Sequence, residues 1–238
     1  MSASWEALYK SQAQGLWALV VLPALLLGWL AFRGWATGPG IEPYAARFVR
    51  VWAVVFAAVA IIDPIATGPL GWPLLPFVLL GDFRVFALVL VVMEPGRSRT
   101  GALAEAAAWT LVVPGVAYGL YRGVEAVRGP QPETLLWLVY EIAFATLALA
   151  LAVRLVPGRV GVERMRVRRY VRAVLALVGL YYVLWAIADV VILRGDDWGW
   201  ALRVLPNQLY YGVFVPTAYA LFFASRSALS STSTQAAR

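Results

Sequence analysis

The feature that most constrains this chain of 238 residues is a series of apolar runs, each long enough to cross a lipid bilayer. An α-helix rises about 1.5 Å per residue, so about 20 apolar residues span the roughly 30 Å hydrocarbon core. Short segments rich in Gly, Pro and charged residues separate the runs. The runs cover residues 15–32, 51–70, 74–93, 101–121, 134–156, 170–193 and 204–223. The sequence therefore predicts an all-α, polytopic integral membrane bundle of seven transmembrane helices.

The composition agrees with this class. Apolar residues make up 62% of the chain and charged residues 14%, against roughly 45–50% and about 25% in soluble domains. The predicted organisation is an extracytoplasmic N-terminal segment (1–14), a transmembrane domain (15–224) and a cytoplasmic tail (225–238). The tail is small and polar, so we expect it to be disordered.

The distribution of Lys and Arg predicts the orientation. The loops after the first, third and fifth runs, with the run ends that border them and the C-terminal tail, hold fourteen basic residues, and the other side holds five. We therefore expect the N-terminus outside and the C-terminus in the cytoplasm, and we interpret the location as a bacterial cytoplasmic membrane. The most basic segment, 162–172, lies near anionic headgroups in this arrangement. It serves as a topology signal, with partner docking as the alternative.

Several residue types are absent, which excludes whole classes of chemistry. The chain has no Cys and no His, so it cannot build a Cys/His zinc site, a His-ligated haem, a thiolate nucleophile or a Ser-His-Asp triad. The last apolar run has no Lys for a retinal Schiff base. We therefore predict no metal and no cofactor. The arginines lie in loops beside the membrane, which also argues against a nucleic-acid partner.

Polar side chains inside the apolar runs are the candidates for function, because charge at bilayer depth is costly. The helix rise places Asp63, Glu141, Asp189 and Asn207 about 5–10 Å outward of their span centres. Asp82 lies near the midplane. This clustering in one leaflet predicts a pocket in the outer half of the bundle.

Aromatic residues recur on the same helix faces as these polar groups. Tyr182 and Trp185 precede Asp189 by seven and four residues, and Tyr211 follows Asn207 by four. Carboxylates backed by aromatic rings can receive a cation, whereas hydrogen bonds between helices are the structural alternative. The predicted ligand- or ion-binding residues are Asp63, Asp82, Glu141, Asp189, Asn207, Gln208, Tyr182, Trp185 and Tyr211.

Arg84 is predicted to balance charge, because an arginine stays protonated and needs a partner at this depth. Asp82 is two residues away and points to nearly the opposite side of a regular helix. We therefore expect Arg84 to pair with Asp63 or Glu141 on another helix.

These patterns favour a small transporter, or a solute- or cation-binding membrane protein, over an enzyme, and they identify no catalytic residues. One alternative is a lipid-modifying enzyme in which two carboxylates act as acid and base. Another is a scaffold or assembly factor. The three differ in cavity shape: an outward vestibule, a lateral opening to lipid, or a filled bundle. The predicted partners are membrane lipids and a small-molecule or cation ligand, while the oligomeric state is not indicated.

Overall fold

The computed structural model describes residues 4–10, 16–33 and 43–224, and every regular element within these ranges is a helix. The helices are α1 (Trp5–Lys10), α2 (Leu16–Arg33), α3 (Pro43–Thr67), α4 (Leu74–Met93), α5 (Arg99–Arg128), α6 (Glu133–Ala150), α7 (Val156–Arg159), α8 (Met165–Leu193), α9 (Trp198–Leu202), α10 (Val204–Asn207) and α11 (Phe214–Ala224). A π-helical segment, Leu151–Leu155, joins α6 to α7, and a second, Gln208–Val213, joins α10 to α11. The predicted disordered tail, 225–238, lies outside the described residues.

Five helical stretches are long and apolar enough to cross a membrane, which indicates a membrane protein. They are Tyr44–Thr67, Leu74–Met93, Arg99–Arg128, Glu133–Arg159 and Val162–Leu193. The all-helical fold is therefore confirmed for the described residues, and the five apolar stretches indicate an integral membrane protein.

The first and last predicted spans are not among these five. In α2 the apolar helix Leu19–Ala31 is shorter than the others. The stretch 204–224 is helical throughout, but Asn207, Gln208 and several tyrosines make it more polar. The count of seven spans stays a prediction.

The helix α4 is the central element of the bundle. It packs against α3, α5 and α8, and every side chain from Arg84 to Met93 is buried. Its bounds coincide with the predicted run because Pro73 precedes the helix and Glu94 follows it. Asp82 is buried as well. The central position of α4 therefore keeps the charged side chains of Asp82 and Arg84 away from lipid.

Charged residues cluster at the end of the bundle where α4 ends and α5 begins. Arg97 and Arg159 each form ion pairs with both Glu94 and Glu105. Arg164, in the basic segment 162–172, donates to the Met93 carbonyl at 2.7 Å and to the Val92 carbonyl at 3.3 Å. Such bonds satisfy carbonyl groups that lack partners at a helix C-terminus. Part of the basic segment therefore has a structural role.

Candidate functional site

A cavity of about 340 Å3 lies at the opposite end of the bundle, next to α1. Its walls come from α1, α2, the end of α3, the start of α4, the first half of α6, the second half of α8 and the stretch 203–211. Because these ends meet at one place, the chain direction alternates from α3 to α4, and again from α6 to α8. Its lining residues are Tyr9, Leu19, Pro64, Thr67, Gly68, Leu74, Val78, Trp137, Tyr140, Glu141, Tyr182, Trp185, Arg203, Asn207, Tyr210 and Tyr211.

Five of the residues singled out in the sequence line this cavity: Glu141, Tyr182, Trp185, Asn207 and Tyr211. They come from α6, α8 and the stretch 203–211. The structure therefore brings these five side chains from different helices together at one cavity. Whether they bind a ligand remains a prediction.

Glu141 is the carboxylate that lines the cavity itself. Its side chain is almost fully enclosed, with 5% of the residue exposed. Its Oε2 atom has no hydrogen-bond partner among the described residues. A buried carboxylate oxygen without a donor is costly, so Glu141 is a lining residue whose hydrogen-bonding capacity is unmet among the described residues.

Asp189 lies behind the cavity wall and forms an ion pair with Arg203. The Arg203 guanidinium donates from Nε and Nη2 to the two Asp189 carboxylate oxygens, each at 2.5 Å. Asp189 is fully buried, and 14% of the Arg203 side chain is exposed. Arg203 lines the cavity, whereas Asp189 reaches it only through this partner. Arg203 lies between two apolar runs, so a search for polar residues within the runs does not identify it.

Asp82 lies directly beneath the cavity and is completely buried. Its two carboxylate oxygens accept hydrogen bonds from the hydroxyl groups of Tyr140 and Tyr182. Both tyrosine rings line the cavity, so the carboxylate holds two wall residues in place. Tyr140 is a further residue that the sequence analysis did not single out.

Two other predicted residues lie at the margin of the site. Asp63 is buried, and Thr67, one turn later, donates to its main-chain carbonyl at 2.8 Å and to its Oδ1 at 3.4 Å. Thr67 and Pro64 line the cavity, but Asp63 does not. Gln208 is half-buried on the stretch 203–211 and is not part of the lining.

Arg84 does not form the expected ion pair with Asp63 or Glu141 among the described residues, and that prediction is wrong. Its Nη2 atom donates to the Tyr210 carbonyl at 2.7 Å, and its guanidinium lies 4.2 Å from the centroid of the Tyr210 ring. The π-helical geometry explains this choice. The Phe214 amide bonds to the Leu209 carbonyl, five residues earlier, instead of the Tyr210 carbonyl four residues earlier. The Tyr210 carbonyl is thereby free to accept from Arg84.

Gly81 allows α4 to approach Tyr210 closely. A Cβ atom at this position would lie 2.6 Å from Tyr210 Cζ and closer still to its hydroxyl oxygen. Tyr210 therefore occupies the space that a side chain would take, and its ring contacts Trp185 with centroids 5.3 Å apart. Gly81 thus positions part of the cavity wall.

The helix α1 covers the cavity from outside the bundle. The amide groups of Trp5 and Glu6 donate to the Asp197 carboxylate at 2.6 and 2.9 Å. Tyr9 lines the cavity, and its hydroxyl accepts from Asn207 Nδ2 at 3.1 Å. The sequence predicts this segment only as an extracytoplasmic N-terminal segment, because a helix of six residues gives no hydropathy signal.

A second cavity, of about 570 Å3, adjoins the first on the side of α1 and α9. Tyr9, Trp137 and Arg203 line both cavities and so form the boundary between them. Four acidic residues and one Lys lie around the second cavity: Glu6, Glu133, Asp196, Asp197 and Lys10. We call this second cavity the acidic vestibule.

No cluster of three or more acidic residues suited to a metal ion occurs in the part of the chain that the structure describes. Comparison with protein families, with curated proteins and with solved structures yields no match for this chain. The site's function must therefore be argued from its own geometry.

Proposed function

We propose that this chain is a multi-pass membrane transporter that binds a cation in the 340 Å3 cavity. The observation that carries the proposal is the Glu141 carboxylate, which is buried, lines the cavity and leaves Oε2 without a hydrogen-bond partner among the described residues. A cation placed against this oxygen would supply the missing partner.

The balance of charge around the cavity supports a cation rather than an anion. The groups within or directly behind its wall are the acids Asp63, Asp82, Glu141 and Asp189 and the bases Arg84 and Arg203. With all of them ionised, acidic groups outnumber basic ones, so a bound cation would offset the excess. The acidic vestibule would also raise the local concentration of cations at the mouth.

The cavity itself favours this proposal over the two alternatives. A scaffold would have a filled bundle at this position. A carboxylate pair acting as acid and base would need two free carboxylates within the cavity, yet Asp189 is bound by Arg203 and Asp82 by two tyrosines.

Cation uptake tests the proposal. The purified protein is reconstituted into liposomes, and uptake of radiolabelled sodium, rubidium, methylammonium and phenethylammonium ions is measured. We expect saturable uptake of at least one ion, with a loss of at least tenfold in Glu141→Gln, because the neutral amide cannot balance a cation. Glu163→Gln is the matched control, since Glu163 is exposed at the opposite end of the bundle. Uptake of every ion at the level of protein-free liposomes would contradict the proposal.

The topology proposed with this function has seven spans, in which α2 and the stretch 204–224 complete the five longer helices. The 18 residues of α2 would extend about 27 Å, close to the roughly 30 Å hydrocarbon core. The cavity and α1 would then face outward and the basic segment 162–172 would face the cytoplasm of a bacterial cell, in agreement with the asymmetry of basic residues.

Cysteine labelling tests this topology without background, because the natural chain has no Cys. In spheroplasts, a membrane-impermeant maleimide should label Ser4→Cys and Pro130→Cys directly. We expect it to label Gly96→Cys and Ser230→Cys only after permeabilisation. Labelling of Ser4→Cys and Ser230→Cys from the same side would contradict an odd number of spans, and inverted labelling of Pro130→Cys and Gly96→Cys would contradict the orientation.

A further inference from the structure

We propose that the cation held in this cavity is an organic ammonium ion that carries at least one N–H group and an apolar or aromatic substituent. The inference rests on the proposed function and specifies the chemical class of its ligand. It depends on three properties of the cavity: a lining carboxylate with one oxygen that has no donor among the described residues, a lining rich in aromatic side chains, and few other oxygen atoms free to coordinate a cation.

The Glu141 Oε2 atom lacks a hydrogen-bond donor among the described residues. Glu141 lies near two other charged groups, Asp189 and Arg203, but these bind each other through two hydrogen bonds. Glu141 lines the cavity, and its buried Oε2 atom has no donor from the described residues. An ammonium N–H would form a charge-assisted hydrogen bond with it, which is stronger than one between neutral groups.

Seven aromatic side chains contribute to the wall of the cavity. They are Tyr9, Trp137, Tyr140, Tyr182, Trp185, Tyr210 and Tyr211. Ring faces attract cations, and this is how proteins recognise alkylated ammonium groups. The same faces offer apolar area for a carbon substituent.

Several polar atoms of these wall residues are already engaged. The hydroxyl groups of Tyr140 and Tyr182 donate to Asp82. The indole N–H of Trp185 donates to Asn207 Oδ1 at 3.0 Å, and that of Trp137 donates to Glu133 at 3.1 Å. The wall therefore presents rings more than hydrogen-bonding groups to a ligand.

A bare metal ion fits this lining poorly. Calcium takes six to eight oxygen ligands, and magnesium requires near-octahedral geometry. Among the described residues, Glu141 is the one carboxylate in the lining, and Asn207 Oδ1 already accepts from Trp185. The volume of about 340 Å3 falls instead at the lower end of the roughly 300–1,000 Å3 typical of small-molecule pockets.

A quaternary ammonium ion satisfies the ring faces but not the carboxylate oxygen, because it has no N–H group. A neutral alcohol of the same shape can donate one hydrogen bond and pack its apolar part against the rings, but it has no positive charge for the carboxylate or for cation–π attraction. Primary to tertiary ammonium ions meet both requirements, which makes phenethylammonium a suitable probe.

Isothermal titration calorimetry on the full chain in lipid nanodiscs tests the inference. The probes are phenethylammonium, its trimethylated quaternary analogue, 2-phenylethanol and sodium ion. We expect phenethylammonium to bind at least tenfold more tightly than each of the other three. Glu141→Gln should weaken its binding at least tenfold, whereas Glu163→Gln should leave it unchanged. Trp137→Leu removes one aromatic face and should weaken phenethylammonium binding more than 2-phenylethanol binding, which gives a second variant if Glu141→Gln does not fold.

The outcomes separate this inference from the proposed function. Equal affinity for phenethylammonium and 2-phenylethanol, or full affinity in a folded Glu141→Gln, would overturn the inference. Tightest binding of sodium or of the quaternary analogue would also overturn it, while leaving a cation transporter intact. Tight phenethylammonium binding without saturable uptake of any cation would support the ligand class and contradict transport.

Discussion

Replacing Arg203 by methionine is expected to lower the free energy of unfolding by about 3–5 kcal/mol, the cost of leaving one member of a buried ion pair without its partner. Asp189 is fully buried, and both of its carboxylate oxygens accept from Arg203. The substitution would keep most of the aliphatic volume but remove both donors. The measurement is SDS-induced unfolding in mixed micelles, followed by far-UV circular dichroism.

Two further variants make this prediction specific to the ion pair. Arg194→Met is the matched control, because Arg194 is an exposed arginine at the same end of the bundle; we expect a change within about 0.5 kcal/mol. Combining Arg203→Met with Asp189→Leu should recover most of the loss, since an apolar pair leaves no buried charge. If Arg203→Met unfolds no more easily than Arg194→Met, or if the double variant recovers nothing, the pair does not stabilise the fold.

The ion pair also changes what is expected of Asp189. On sequence grounds, Asp189→Asn removes ligand binding while the protein stays folded. In the structure Asp189 is the partner of Arg203 and does not line the cavity. We therefore expect Asp189→Asn to reduce stability, and Glu141→Gln to be the variant that separates binding from folding.

The helices and the region of the site could be predicted because both follow from local spacing. The predicted run 74–93 has the same bounds as α4, because Pro73 precedes the first residue of the helix and Glu94 follows the last. The helical spacing on α8 correctly placed Tyr182 and Trp185 on one face, and both line the cavity. Patterns of this kind depend only on residues a few positions apart.

The specific partners could not be predicted, because they depend on contacts between distant segments. Arg84 donates to the Tyr210 carbonyl, which is left free by the π-helical segment Gln208–Val213. The spacing of residues in the sequence does not predict a π-helical segment. Tyr9 and Arg203 lie outside the apolar runs, so a search restricted to those runs could not find them. The sequence does identify Asp189 as a buried acid. It does not show that Asp189 is paired with Arg203 and lies outside the cavity lining.

The second large effect is expected at Asp82, where replacing both Tyr140 and Tyr182 by phenylalanine should destabilise the protein by about 3–6 kcal/mol. Each hydrogen bond to a charged group contributes about 1.5–3 kcal/mol, and the structure gives Asp82 two such bonds from tyrosine hydroxyl groups. The carboxylate is completely buried, so water cannot replace the lost donors without opening the bundle. The free energy of unfolding in SDS mixed micelles again provides the measurement.

The choice of variants separates the loss of these donors from a change in packing. Phenylalanine keeps both rings, so the aromatic contact between residues 182 and Phe144, with centroids 4.2 Å apart, is retained. Tyr118→Phe is the control, because Tyr118 is 59% exposed on α5, and we expect it to change stability by less than about 0.5 kcal/mol. Adding Asp82→Leu to the double variant should restore part of the stability, since the uncompensated charge is then gone. A double variant as stable as Tyr118→Phe would show that the two hydroxyl groups do not hold Asp82, and the cavity wall would then need another support.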